Sequence, residues 1–217
     1  MRDSRERRRE PERPEKSVGG VSASDQEKRW QGRHDQTDAG GTVTTMKRLY
    51  LLRHAKALPG DGGTEDFDRT LMLSGMQDGA AVARYIRKRD YEVDLILCSS
   101  SARTTQTAEL VLQEIDAPIE YRANLYLAEA SRLVAAVRGA PAAAAGLMIV
   151  GHNPGMEECA ALLAREPVRR KERARHEALD EKFPTGALAI LDFDVGRWRD
   201  VREKTGKLAD FVRPKDL

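Results

Sequence analysis

Cysteine is scarce: Cys98 and Cys159 are the two in 217 residues, and neither lies in a CxxC-type spacing. That argues against a disulfide framework and a thiolate metal site, and fits two free thiols in a reducing compartment. Long apolar runs are also missing. None approaches the ~20 residues needed to cross a bilayer, so a soluble protein with no membrane partner is expected. Neither sign of charge dominates, since 37 basic against 35 acidic side chains leave a net charge of +2. Composition therefore gives no reason to expect a nucleic-acid partner. With no secretory-type segment in the sequence, the expected location is cytoplasmic.

What is present is enough for one well-buried domain and a tail, with 40% hydrophobic and 33% charged residues. Residues 1–45 are dense in Arg, Glu, Asp, Gly and Ser and nearly empty of large apolar side chains. They cannot bury enough apolar surface to offset their ordering entropy, so a disordered, charged N-terminal extension is expected. Its acids argue against a transit peptide. Met46 stands just before the first apolar run and offers a second start of translation, leaving residues 46–217 as the folded domain. The extension reads either as inert or as a docking arm.

Three apolar runs in that domain end abruptly in polar side chains. Leu49-Tyr50-Leu51-Leu52 delivers Arg53-His54-Ala55-Lys56, Leu95-Ile96-Leu97 leads to Ser99-Ser100-Ser101, and Leu147-Met148-Ile149-Val150 ends in Gly151-His152-Asn153-Pro154-Gly155. Continuous apolar runs suit strands buried on both faces, and in open α/β sheets ligands gather beyond the carboxyl ends of such strands. The same Arg-His pair at Arg33-His34 follows no apolar run and reads as a surface pair.

Helices are expected after each run. Ser74-Gly75-Met76-Gln77 has a capping-box pattern opening a helix to about Lys88. Ala108, Val111, Leu112 and Ile115 trace one face of a second helix, and Met156, Cys159, Ala160 and Leu163 one face of another. Ile119 to Tyr121 is a short strand candidate, and the charge-rich segment from Val168 to Lys182 reads as a solvated loop or helix face. Ala187 to Leu191 is a strand expected to hairpin through Asp194-Val195-Gly196 to Trp198-Arg199-Asp200-Val201.

The polar residues at these run ends suggest a chemistry. Neutral imidazole is a nucleophile near neutral pH, and arginine offers a planar fork of donors to a phosphoryl group. Arg103 falls in the first turn of a helix, where it reads equally as a solvated charge or as half of a phosphate cradle. Arg69 is flanked by acids and reads as the partner of an ion pair that orders its loop. Glu129 reads as a helix N-cap or as a carboxylate reaching over a site.

Taken together, Leu51 to Lys56, the DFDR-x-L segment from Asp66 to Leu71, Ser99 to Ala108, Gly151 to Gly155, Pro184 to Ala187 and Phe211 to Pro214 resemble the histidine phosphatase superfamily, the phosphoglycerate-mutase-like proteins, and within it the SixA branch of phosphohistidine phosphatases. The resemblance spans Met46 to Leu217. It implies a three-layer α/β/α fold with a mixed, mostly parallel sheet and no helical cap insertions. It also implies catalytic roles for His54 as nucleophile and for Arg53, Arg103 and His152, with Asn153, Ser99, Lys56 and Glu129 as candidate substrate contacts and neither metal nor cofactor. The expected partner is a phosphorylated protein, such as a histidine-containing phosphotransfer domain, with the chain itself a monomer. A small phosphorylated metabolite, or mere docking of phosphoproteins, are the alternatives.

Overall fold

The first apolar run becomes the centre of the sheet. In the computed structural model, which describes residues 46–60 and 62–217, β1 (Lys47–Arg53) is flanked by β4 (Gly146–Gly151) in parallel and β5 (Leu188–Phe193) antiparallel. The extension expected to be disordered, residues 1–45, lies outside the described residues, as does Asp61. On the far side of β4, β2 (Leu95–Ser99) and β3 (Ile119–Arg122) continue in parallel, and β6 (Lys207–Val212) closes the opposite edge antiparallel to β5. The strand order β3-β2-β4-β1-β5-β6 is the mixed, mostly parallel sheet expected from the sequence.

Parallel neighbours need crossovers, and the helices supply them while burying both faces. Tyr50, Leu52, Ile96, Cys98, Met148 and Val150 form one core with Val82, Ala83 and Ile86 of α1 (Leu73–Lys88) and Ala108 and Val111 of α2 (Ala102–Leu112). Leu49, Leu51, Leu97, Leu147 and Ile149 alternate with these residues and are fully buried on the other face. There α3 (Ala130–Arg138) packs against α4 (Gly155–Leu163), whose Cys159 is buried as its helical phase predicts. The segment read as a solvated loop or helix face is α5 (Arg170–Glu181), which rests on β6 and buries Leu179.

Two local expectations are corrected. No capping box opens α1: the helix begins at Leu73, and its N-cap residue Met72 makes no side-chain capping bond. Its start is set instead by the returning chain, where Met72 N–H donates to Lys56 O at 3.0 Å and Leu58 N–H to Thr70 O at 2.9 Å. The hairpin partner of β5 is not Trp198 to Val201. Trp198–Asp200 is a single 3₁₀ turn whose indole is fully buried and donates to Ala144 O at 2.8 Å, while the closing Phe211-Val212 stretch belongs to β6, the true partner. A buried indole with a buried acceptor outweighs the turn at Asp194-Val195-Gly196 that suggested a hairpin to this segment.

The register that matters is Arg53 opposite Gly151 and Cys98 opposite Val150. It brings the carboxyl ends of β1, β2 and β4 to one edge. Trp198→Ala, which empties a large buried site and leaves the Ala144 carbonyl with Lys47 Nζ as its remaining donor, is expected to destabilise the domain by about 3–5 kcal/mol; urea unfolding measures it.

Candidate active site

Because β1 and β4 end level, the residues just beyond them meet. His54 N–H donates to Gly151 O at 3.0 Å, and the rings of His54 and His152 lie 5.2 Å apart between centroids. His54 Nδ1 lies 2.8 Å from Ala55 O, which can only accept, so Nδ1 carries the proton. Nε2 is left with its lone pair, as a nucleophile requires.

A similar chain of bonds orders His152. Thr104 Oγ1 donates to the carbonyls of Ser99 and Ser101 and accepts from Ser101 Oγ at 2.8 Å. Ser99 Oγ lies 2.8 Å from His152 Nε2, and Ser101 Oγ lies 3.5 Å from the same nitrogen. With the His152 proton on Nδ1, Nε2 accepts from the Ser99 hydroxyl. Ser99, expected as a substrate contact, is turned onto His152 and holds its ring.

Arg53 is held from the far side of the sheet. Its Nη1 donates to Phe183 O at 2.7 Å, and Asn153 Nδ2 shares that carbonyl at 3.1 Å while also bonding Glu157 at 2.7 Å. The turn carrying Phe183 returns at Gly186, whose φ of +76° favours glycine and whose N–H donates to His54 O at 3.0 Å. Arg103, 3% exposed in the first turn of α2, is tied to the end of β1 through Thr107, which accepts from Ala55 N–H at 3.0 Å and donates to Arg103 O at 2.6 Å. Its guanidinium donates to Asp66 Oδ2 at 2.8 Å and to Asp66 O, and lies over the Tyr126 ring at 5.8 Å.

Among the described residues, the buried side-chain nitrogens and oxygens lacking any hydrogen-bond partner are Arg53 Nε, His152 Nδ1 and Asn153 Oδ1. All three belong to the ends of β1 and β4. Buried donors left unpaired are costly, and Arg53 Nε, joined by His152 Nδ1 when that nitrogen carries the ring proton, suits the oxygens of an anion beside a nucleophilic nitrogen. Burial also sets the protonation of both rings. Desolvation, opposed by the bond to Ala55 O and reinforced by Arg103, Arg53 and Arg69, pushes His54 down to about 4. Desolvation, with His54 and Arg103 as further causes, pushes His152 down to about 3. Both are neutral at pH 7.

Of the residues singled out in the sequence, Arg53, His54, Ser99, Arg103, His152 and Asn153 are thus brought to one pocket. Lys56 and Glu129 are exposed. Glu129 holds the N-cap position of α3 but makes no capping bond with its side chain, so the capping expectation is not met. Its backbone is pressed against α4 at Gly155, where a Cβ would lie 1.9 Å from Ala128 O. Arg69 does form the expected ion pair, with Asp66 at 2.8 Å. Sequence reasoning missed Tyr126, which bonds Asp66 at 2.6 Å and sets its ring against His152 at 5.4 Å. It also missed Thr107 and the Phe183 carbonyl. A tyrosine three residues before the expected N-cap, Glu129, was the available signal.

A strand-end pair of histidines beside the buried Arg103 and the half-buried Arg53, at one edge of a mixed α/β sheet, suits phosphoryl transfer. Residues 49–130 match the histidine phosphatase superfamily (branch 1). An uncharacterized protein of Mycobacterium tuberculosis is 32% identical over 164 residues, covering 76% of this chain and all of its own. Among solved structures, the protein assigned as phosphohistidine phosphatase SixA in Agrobacterium tumefaciens is 33% identical, with a TM-score of 0.64 over 77% of this chain and 98% of its own. Its counterpart from Nakamurella multipartitia is 28% identical, with a TM-score of 0.68 over 82% and 99%. The chain belongs to the histidine phosphatase superfamily and is of the SixA type. It is a phosphatase.

The two depressed histidines make stability depend on pH. Unfolded imidazoles take up protons near 6.5, whereas the folded pair does so near 4 and 3. The unfolded state therefore binds more protons in between, and stability is full above about pH 6.5 and falls as pH drops toward about 4. His152→Gln removes one of the two groups. Its urea midpoint should shift less than that of the wild type between pH 7.5 and 5.0; an identical shift would mean that His152 is not held neutral.

Proposed function

We propose that the domain formed by residues 46–217 hydrolyses phosphohistidine on a partner protein, with His54 as the transient carrier of the phosphoryl group. His54 Nε2 attacks phosphorus as the bond from phosphorus to the substrate imidazole breaks. Water then attacks phospho-His54, releasing inorganic phosphate and restoring neutral His54. Arg53 Nε, His152 Nδ1 and the Arg103 guanidinium donate to the phosphoryl oxygens, whose charge must be held throughout the in-line transfer.

The observation that carries the substrate class is the state of the nearby carboxylates. Asp66, the acid at the Arg103 end of the pocket, is held well below the usual carboxylate range by bonds from Tyr126, Arg103 and Arg69. It is therefore ionised at neutral pH and has no proton to give. Glu129 is exposed and bonded to no pocket residue. A leaving group that departs as alkoxide would find no acid in Asp66 or Glu129, whereas a phosphohistidine protonated on its other ring nitrogen departs as neutral imidazole. The likeness to SixA-type structures at 28% and 33% identity supports the same reading, and a phosphotransfer domain in a signalling relay is the kind of protein that presents such a group.

Phosphate release from a phosphohistidine protein and from a panel of monoesters, with an acid-labile, alkali-stable phosphoenzyme trapped in parallel, tests the proposal. The wild type should favour the phosphohistidine protein and label at His54. His54→Ala should lose about 1,000-fold or more in rate, and Glu129→Gln should stay within about two-fold on phosphohistidine. Preference for an ester, or a large loss in Glu129→Gln, would overturn the assignment of the substrate.

A further inference from the structure

Asp66 is an unexpected residue to find beside a pocket for phosphate. Its carboxylate accepts from Arg69 Nη1 at 2.8 Å, Arg103 Nη2 at 2.8 Å and the Tyr126 hydroxyl at 2.6 Å, while its backbone carbonyl takes Arg103 Nη1. The terminal nitrogens of Arg103 are thereby committed to the Asp66–Asp68 turn. Arg103 Nε makes no hydrogen bond among the described residues, so a guanidinium fixed in plane by one fork keeps donor capacity for a ligand. Orientation alone does not need a carboxylate, because a carbonyl already holds Nη1.

A carboxylate at this position has a second consequence. Arg103 and Arg69 bring two positive charges to this end of the pocket, and Asp66 cancels one of them. The negative charge is half-exposed, so water screens it but does not remove it. At separations of several ångströms and an effective dielectric between that of a protein surface and water, one charge alters anion binding by roughly three- to ten-fold.

Resting on the reading of this pocket as a phosphoryl site, we propose that Asp66 is a positioning and specificity-determining residue: it fixes Arg103, and its charge disfavours phosphorylated ligands that carry a second anionic group as well as the inorganic phosphate product. A phosphohistidine brings only the charge of its phosphoryl group, and its neutral or cationic leaving ring adds no second repulsion. A metabolite phosphate bearing a carboxylate adds one. Tyr126 is the neutral part of the device, restraining Asp66 without adding charge.

The test is equilibrium binding of phenyl phosphate, 3-phosphoglycerate and inorganic phosphate to the full chain at pH 7.5, by calorimetry. The ratio of the Kd for 3-phosphoglycerate to the Kd for phenyl phosphate should fall about three- to ten-fold in Asp66→Asn, and the Kd for inorganic phosphate should fall similarly. Both effects should shrink in 0.5 M KCl, where the Debye length is only a few ångströms. Asp66→Glu and Tyr126→Phe keep the charge and should hold the ratio within about two-fold. Arg69→Gln strips a neutralising partner from Asp66 and should raise the ratio, which keeps the idea exposed even where Asp66→Asn folds poorly. An unchanged ratio in folded Asp66→Asn, or equal weakening of all three ligands, would overturn the proposal and leave a structural role. Binding is read without turnover, so a failure of the His54 chemistry would show as unlabelled enzyme with the binding ratio still measurable.

Discussion

The pairing of β1 with β4 is the constraint on which the rest depends. With Arg53 opposite Gly151 in a parallel ladder, both strands release their next residue at the same height, and His54 and His152 have no choice but to adjoin. A one-residue slip would send every side chain of a strand to the opposite face. The leucines and isoleucines of β1 and β4, buried on both sides, forbid that slip. Precision at the site is therefore a by-product of core packing, and loop chemistry is needed only to orient rings already in place.

That orientation is done by small groups. A backbone carbonyl sets the tautomer of His54, a serine hydroxyl bonds the ring of His152, and a threonine joins the end of β1 to the first turn of α2. Each bond is worth about 1 kcal/mol net. Together they place two identical side chains in different settings, His54 with its lone pair on Nε2 and His152 with Nε2 against a serine. Low dielectric and the neighbouring guanidinium groups keep both rings uncharged, so the positive charge awaiting the phosphoryl group comes from arginine.

The strands β1 to β5, the meeting of Arg53, His54 and His152 at one sheet edge and the α/β class were legible in the sequence because each rests on a local pattern, an apolar run that stops and a polar residue at or just past the stop. The strand β6 was not legible. What was not legible depends on partners far along the chain. The indole of Trp198 finds its acceptor at Ala144, Tyr126 finds Asp66, and Arg53 finds the carbonyl of Phe183. No window of the sequence contains both members of any of these pairs. The start of α1 failed for the same reason, since a nearby capping pattern lost to a backbone bond from Met72 to Lys56. Even at Ser99, expected at the pocket, the contact with His152 was not legible, because which way a hydroxyl turns is decided by the residue across from it.

The electrostatics of the pocket tie its selectivity to its chemistry. A carboxylate can donate a proton at neutral pH only if its surroundings favour the neutral form, through burial or a like charge. Asp66 has the opposite surroundings, with two guanidinium groups and a phenol all stabilising the ion. The interactions that fix Arg103 therefore deprive the pocket of an acid at that end. A site arranged in this way works best on a phosphoryl group whose leaving atom already carries its compensation, and in the P–N bond of a protonated phosphohistidine that compensation arrives with the substrate.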